Sequence, residues 1–149
     1  MRIAEIEETV RPASALPPDD RSTATTLINN AASGSATGID TRPYDTAMVM
    51  VELTSISSTG TLNIGCYTGV SNADSVGITA ITGASFTQLT NSSTAGIYVG
   101  RIKTKNHGRY LYIKAVQAGA FSKKYDVKVL LSKADSEPVA QANTVEFTV

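Results

Sequence analysis

The chain has 149 residues, 13 basic and 13 acidic side chains, and a formal net charge of zero. This length fits one domain with a single hydrophobic core, and the zero net charge argues against nucleic acid or an anionic membrane surface as a partner. No apolar run reaches the roughly 20 residues of a membrane-spanning helix, and the acidic N-terminus predicts no secretory signal.

The first 22 residues differ from the rest because prolines interrupt them. Pro12, Pro17 and Pro18 each fix φ and remove a backbone N–H group. We therefore expect residues 1–22 to form an extended arm outside the sheets, ordered on a partner and dispensable for the folding of a domain at residues 23–149. The candidate partner-binding residues of this arm are Ile3, Ile6, Val10, Pro12, Leu16 and Pro17.

From Thr23 onward, apolar and β-branched segments alternate with turn residues, a pattern typical of strands. The clearest segment is 46–54, which is apolar on both faces until Glu52. No helical period persists over about ten residues. The candidate strands are 23–29, 36–41, 46–54, 61–66, 78–81, 85–90, 95–104, 109–117, 121–132 and a final edge strand at 144–149. If about seven to nine of these ten candidates form strands, their spacing predicts an all-β fold, a single antiparallel β-sandwich of the jelly-roll type.

Charge is distributed unevenly along the chain. Between Arg42 and Arg101 there is no Lys or Arg, and the acids there are Asp45, Glu52 and Asp74. Such a stretch is either a Thr-rich surface that water tolerates or a surface packed on another protein, where charged residues are depleted. Basic residues gather afterwards, and we expect them to meet an anionic protein surface. The candidate contacts among them are Arg101, Lys103, Arg109, Lys123 and Lys124.

The sequence shows no constellation of residues for catalysis or metal binding. His107, the only histidine, lies in a predicted turn, and Cys66, the only cysteine, is expected to be a buried structural residue. Together they fall short of the Cys/His set of a structural zinc site, and no Gly-rich loop leads into a helix. We therefore expect no enzymatic activity, no cofactor and no metal.

A carbohydrate site stays open as an alternative. Trp, the usual sugar-binding platform, is absent, but Tyr44, Tyr67 and Tyr98 could take its place. The same tyrosines are equally consistent with half-buried sheet residues whose hydroxyl groups reach water.

Four segments combine into a pattern of strands and turns over residues 35–139. They are SATGIDTRPYDTAMVMVEL, GTLNIGCYTGVSNADS, ITGASFTQLT and GIYVGRIKTKNHGRYLYIKAV, followed by a long strand and the loop ADSEPV. This pattern resembles the small β-sandwich decoration proteins, also called cement or auxiliary head proteins, of tailed bacteriophages.

The resemblance implies a non-enzymatic virion protein, made in the host cytoplasm, that sits on the capsid exterior. It would bind the major capsid protein of the same phage and bridge its subunits, as a homotrimer or a dimer, with no nucleic-acid or membrane partner. The alternative function is a carbohydrate-recognising tail or fibre-associated adhesin module.

Overall fold

The computed structural model describes residues 10–21, 26–29, 31–32, 36–57, 59–73, 77–119, 122–133 and 144–149. The strands within these ranges are β1 (Val10–Arg21), β2 (Thr26–Ile28), β3 (Ala31–Ala32), β4 (Ile39–Asp40), β5 (Thr46–Ser57), β6 (Thr61–Gly69), β7 (Thr79–Ser85), β8 (Gly96–Lys103), β9 (Tyr110–Ala118), β10 (Ser122–Ser132) and β11 (Thr144–Thr148). A short 3-10 helix at Thr104–Asn106 joins β8 to β9.

The strands form two sheets that enclose one main core. The first sheet has the order β1-β10-β5-β8-β11, and the second has the order β3-β2-β9-β6-β7, with β4 also paired to β9. The described pairings are antiparallel apart from β11, which runs parallel to β8. This architecture confirms the predicted all-β, jelly-roll-like sandwich, and it confirms a final edge strand near the C-terminus.

The core forms because alternate residues of each central strand point between the sheets. In β5 and β10 the inward residues are almost fully buried, and inward residues of β6 and β9 face them from the second sheet. These side chains are Ala47, Val49, Val51, Leu53, Tyr125, Val127, Val129, Leu131, Leu62, Ile64, Cys66, Leu111, Ile113 and Ala115. Cys66 is thus buried, as predicted.

Strand β1 corrects the expectation that the Pro-rich segment lies outside the sheets. It pairs with β10 from Val10 to Arg21, with register shifts between Ser14 and Leu16 and between Leu16 and Asp19. An edge strand tolerates proline because only one side of it needs ladder hydrogen bonds, and bulges absorb the mismatched groups. The expectation is therefore wrong for residues 10–21.

The candidate partner-binding residues of segment 1–22 lie in different environments. Leu16 is fully buried in the core, so its side chain cannot serve as a partner contact, whereas Pro12 is exposed. Val10 and Pro17 lie within β1. Ile3 and Ile6 lie outside the described residues.

Two smaller predictions also need correction. The separate segments 78–81 and 85–90 are instead one strand, β7, followed by an isolated bridge between Leu89 and Leu62. The turn predicted around His107 begins with a 3-10 helix at Thr104–Asn106, and the His107 N–H donates to the Thr104 carbonyl oxygen.

Candidate functional site

The register of the five-stranded sheet places apolar side chains in rows on its outer surface. Met50 lies opposite Val99, which lies opposite Val145, and Met48 lies opposite Leu130. Residues that precede or follow them, such as Val49 and Val129, are in the core, so the row residues point the other way. We call Met48, Met50, Val99, Leu130 and Val145 the outer apolar face.

The outer apolar face is unusual for a sheet surface. Val145 is 43% exposed and Met48, Met50 and Leu130 are half-buried, whereas Val99 is only 4% exposed and offers almost no contact surface of its own. The free side of an antiparallel sheet normally carries polar residues in alternation with the core positions. This strand arrangement explains why segment 46–54 is apolar on both faces: one set of residues fills the core and the other lies outside.

One end of this face carries a cluster of opposite charges. The Lys128 ammonium group lies 2.7 Å from the Asp126 carboxylate and 3.5 Å from that of Glu52. The hydrogen bond with Asp126 raises the pKa of Lys128. The charges at this end are therefore largely satisfied within the chain.

The other end of the face is basic. Arg101 lies in the row of Met48 and Leu130, and Lys103 lies in the next row beside Thr46. Arg101 is half-buried and Lys103 is exposed. The sheet therefore brings Arg101, Lys103 and the exposed Pro12 to one surface.

The remaining basic candidates lie elsewhere. Lys123 and Lys124 pair with Arg21 and Asp20 at the far end of β10. Arg109 lies on the connection into β9. Its guanidinium group donates bidentate hydrogen bonds of 2.6 to 3.1 Å to the Asp40 carboxylate. The predicted basic set is thus divided among three regions.

The tyrosines considered for sugar binding are half-buried rather than open platforms. The Tyr98 hydroxyl donates to the Thr94 carbonyl oxygen at 2.6 Å, and the Lys114 ammonium group sits 5.4 Å from the centre of the Tyr67 ring. Tyr44 packs against the core. Each ring therefore already has a structural contact within the chain.

Sequence reasoning did not single out the five residues of the outer apolar face. The signal was present in two places: segment 46–54 has apolar residues at successive positions, and Leu130 interrupts the expected alternation beside Val129 and Leu131. Neither strand alone shows that these residues align. The alignment comes from pairing between β5, β8, β10 and β11, which are distant in the chain.

Within the described ranges, no group of three or more His, Cys, Asp or Glu side chains is placed to hold a metal ion. None of the helices described there combines the length and the apolar character that crossing a membrane requires.

Comparison with known proteins identifies the fold. The sequence matches no protein-family profile and no curated protein. A chain of the Bacillus endospore appendages, which are disulfide-linked pili, is 15% identical with a TM-score of 0.48, over 85% of this chain and 90% of that one. A chain of the T13 particle of infectious bursal disease virus is 14% identical with a TM-score of 0.50, over 83% of this chain and 31% of that one.

A Gx-strain chain of infectious bursal disease virus is 15% identical with a TM-score of 0.46, and this chain spans 34% of its length. The present chain thus corresponds to about a third of each viral chain. The match to the T13-particle chain, at a TM-score of 0.50 and 14% identity, supports the fold alone, a jelly-roll-like β-sandwich.

Proposed function

We propose that this chain is a non-enzymatic structural protein of a bacteriophage head, which binds the outer surface of the capsid and bridges major capsid subunits. The outer apolar face carries the proposal. Apolar side chains grouped on the free side of a sheet, where polar residues are usual, suggest contact with another protein. The resemblance of residues 35–139 to head decoration proteins suggests the major capsid protein of the same phage as that partner.

The area of the outer apolar face is too small to account for stable binding by itself. The five residues lie on four strands about 4.8 Å apart and in two rows, so the patch covers at most roughly 19 by 14 Å, on the order of 270 Å², of which the nearly buried Val99 exposes little. A stable interface buries about 800 Å² on each partner. The contact must therefore extend beyond the apolar centre, and simultaneous attachment of several copies to a symmetric lattice would add avidity.

The charges beside the face favour an acidic partner surface. Arg101 and Lys103 lie in neighbouring rows at the basic end of the face, and Lys103 is exposed there. Complementary charges raise the association rate and fix orientation more than they raise affinity. We therefore expect capsid association to slow as salt is raised, because screening shortens the range of these charges.

Self-association belongs to the same proposal. A homotrimer would present three outer apolar faces to neighbouring capsid subunits, and a dimer would present two. Either assembly multiplies a small contact. Equilibrium sedimentation of the free protein distinguishes them by mass.

Cosedimentation with mature capsids that lack this protein tests the proposal. We expect saturable binding of the full chain, and we expect Val145→Lys to weaken it more than tenfold because a charge would be buried in an apolar contact. Thr82→Lys is the matched control, since Thr82 is exposed on β7 in the second sheet. The absence of saturable wild-type binding, or equal binding by Val145→Lys, would overturn the proposal.

A further inference from the structure

A pocket of about 250 Å³ opens at one end of the sandwich, past the row that contains Lys103. Residues 41–45 form one wall and residues 104–109 form the other. Pockets for drug-sized ligands measure about 300–1,000 Å³. This pocket therefore suits a smaller group, of the size of one amino-acid side chain or one sugar ring.

The two walls are held together by hydrogen bonds of the buried Thr41 and Thr104. Thr104 donates from its N–H to the Asp45 carbonyl oxygen at 2.8 Å and from its hydroxyl to the Tyr44 carbonyl oxygen at 2.6 Å. Thr41 donates from its N–H and its hydroxyl to the Arg109 carbonyl oxygen, at 3.0 and 2.7 Å. A pocket fixed in this way loses little conformational entropy when a ligand enters.

The charged residues of the two walls determine which ligand charge the pocket favours. Arg42, Lys105 and Arg109 are the basic residues of the lining, and Asp45 is its acidic residue. Asp40, just outside, engages the Arg109 guanidinium at 2.6 Å. Three cations against two carboxylates leave a surplus of one positive charge, which fits a single negative charge better than two.

We infer that this pocket binds a carboxylate group, carried by a small organic acid or by an acidic side chain of a protein. Arg42 and Lys105 supply the attracting charges, and the His107 ring adds a polar group to the same wall. Asp45 would repel the second charge of a phosphate dianion. The inference does not depend on the capsid role, because the pocket lies outside the outer apolar face.

Amide chemical shifts of the full chain, measured by ¹H–¹⁵N NMR, test this inference. Titration with glucuronate represents a free acid, and titration with N-acetylglutamate methylamide represents a protein side chain. We expect saturable shifts confined to residues 41–45 and 104–109 with at least one of the two probes. The probe that binds more tightly identifies the source of the carboxylate.

Variants and competing ligands make the test decisive. Arg42→Gln and Lys105→Gln should each weaken binding at least fivefold, whereas Lys114→Gln, on β9 beside Tyr67, should not. Both positions in the pocket are exposed, so the spectra should show folded variants. The inference fails if neither carboxylate binds below roughly 100 mM, if glucose or phosphate binds as tightly as the better carboxylate, or if both pocket variants bind as the wild type does.

Discussion

Gly100 shows how a single residue controls the attachment of the last strand. It lies on β8 directly under Phe147 of β11, and a Cβ added there would clash with the Phe147 ring. The ring also meets Phe86 in an edge-to-face contact with centroids 5.0 Å apart. The aromatic side chain that anchors β11 therefore fits only because Gly100 has no side chain.

Gly100→Ala should destabilise the protein by about 1–3 kcal/mol, because overpacking forces the Phe147 ring out of its position. Urea unfolding followed by fluorescence or circular dichroism measures this change in the free energy of unfolding. Phe147→Leu in the same chain should recover part of the loss, since the two residues are in contact. Strictly additive effects of the two substitutions would contradict this account.

The Asp40–Arg109 pair predicts a pH dependence. The hydrogen bond from Arg109 lowers the pKa of Asp40 in the folded protein. The stabilisation is therefore complete above the unfolded value of about 3.9 and is lost as the pH falls through the lower folded value. We expect the stability difference between wild type and Asp40→Asn to be constant at neutral pH and to shrink below about pH 4. A stability difference that stayed unchanged as the pH fell well below about 4 would contradict the role of the Arg109 contact.

Cys66 should be almost unreactive in the folded protein. Burial raises the pKa of its thiol to about 12, so little of the reactive thiolate forms at pH 8. We expect its labelling by a disulfide reagent to be slow in buffer and to accelerate in urea as the chain unfolds. Val70→Cys provides the control, because Val70 is 91% exposed and a thiol there should react at once. Equally fast labelling at both positions would contradict the buried placement.

At the scale of the element, β1 and β11 show where sequence reasoning succeeds and where it stops. Alternating apolar residues predict the central strands well, because their inward positions repeat every second residue. Prolines in residues 12–18 predict a break, but they cannot show that an edge position and two bulges make a strand possible. The parallel pairing of β11 with β8 is likewise set by a long-range contact that no local pattern encodes.

The candidate site, too, could be predicted only in part from the sequence. The apolar character of segment 46–54 and the basic residues Arg101 and Lys103 could be read from the sequence. Their assembly into one surface could not, because it needs the cross-strand register. The Asp40–Arg109 pair, which joins residues 69 positions apart, was also out of reach of local patterns.

Leu16→Ala tests whether β1 is an integral part of the sandwich. Leu16 is fully buried, so its truncation should cost about 2–5 kcal/mol of unfolding free energy. Thr54→Ala, at an exposed position of β5, should stay within about 0.5 kcal/mol of the wild type. Equal stability of the two variants would instead support the original expectation of an arm that the domain does not need.

At the scale of the whole molecule, stability should decrease from the centre of each sheet to its edges. Strands β5 and β9 have neighbours on both sides and contribute inward residues to the core, whereas β1 and β11 lie at edges of the first sheet. Such differences set the free energy of local opening.

Native-state hydrogen exchange should therefore find the slowest amides in β5 and β9 and faster exchange in β1 and β11. Exchange at edge amides should also depend less on urea, because they open without global unfolding. If the amides of β1 exchanged as slowly as those of β5, the sandwich would open as one unit and this gradient would be wrong.

The rows of the first sheet have a consequence for protein engineering. Val10, Ser132, Thr46 and Lys103 share one row, and Val149 exchanges backbone hydrogen bonds with Arg101 and Lys103. Val10 and Val149 thus lie at the same end of the sheet, four strand spacings or about 19 Å apart. A linker of about six to eight extended residues could span that distance, so residues 10–149, joined through such a linker and opened in the exposed turn near Asn91, should keep both sheets.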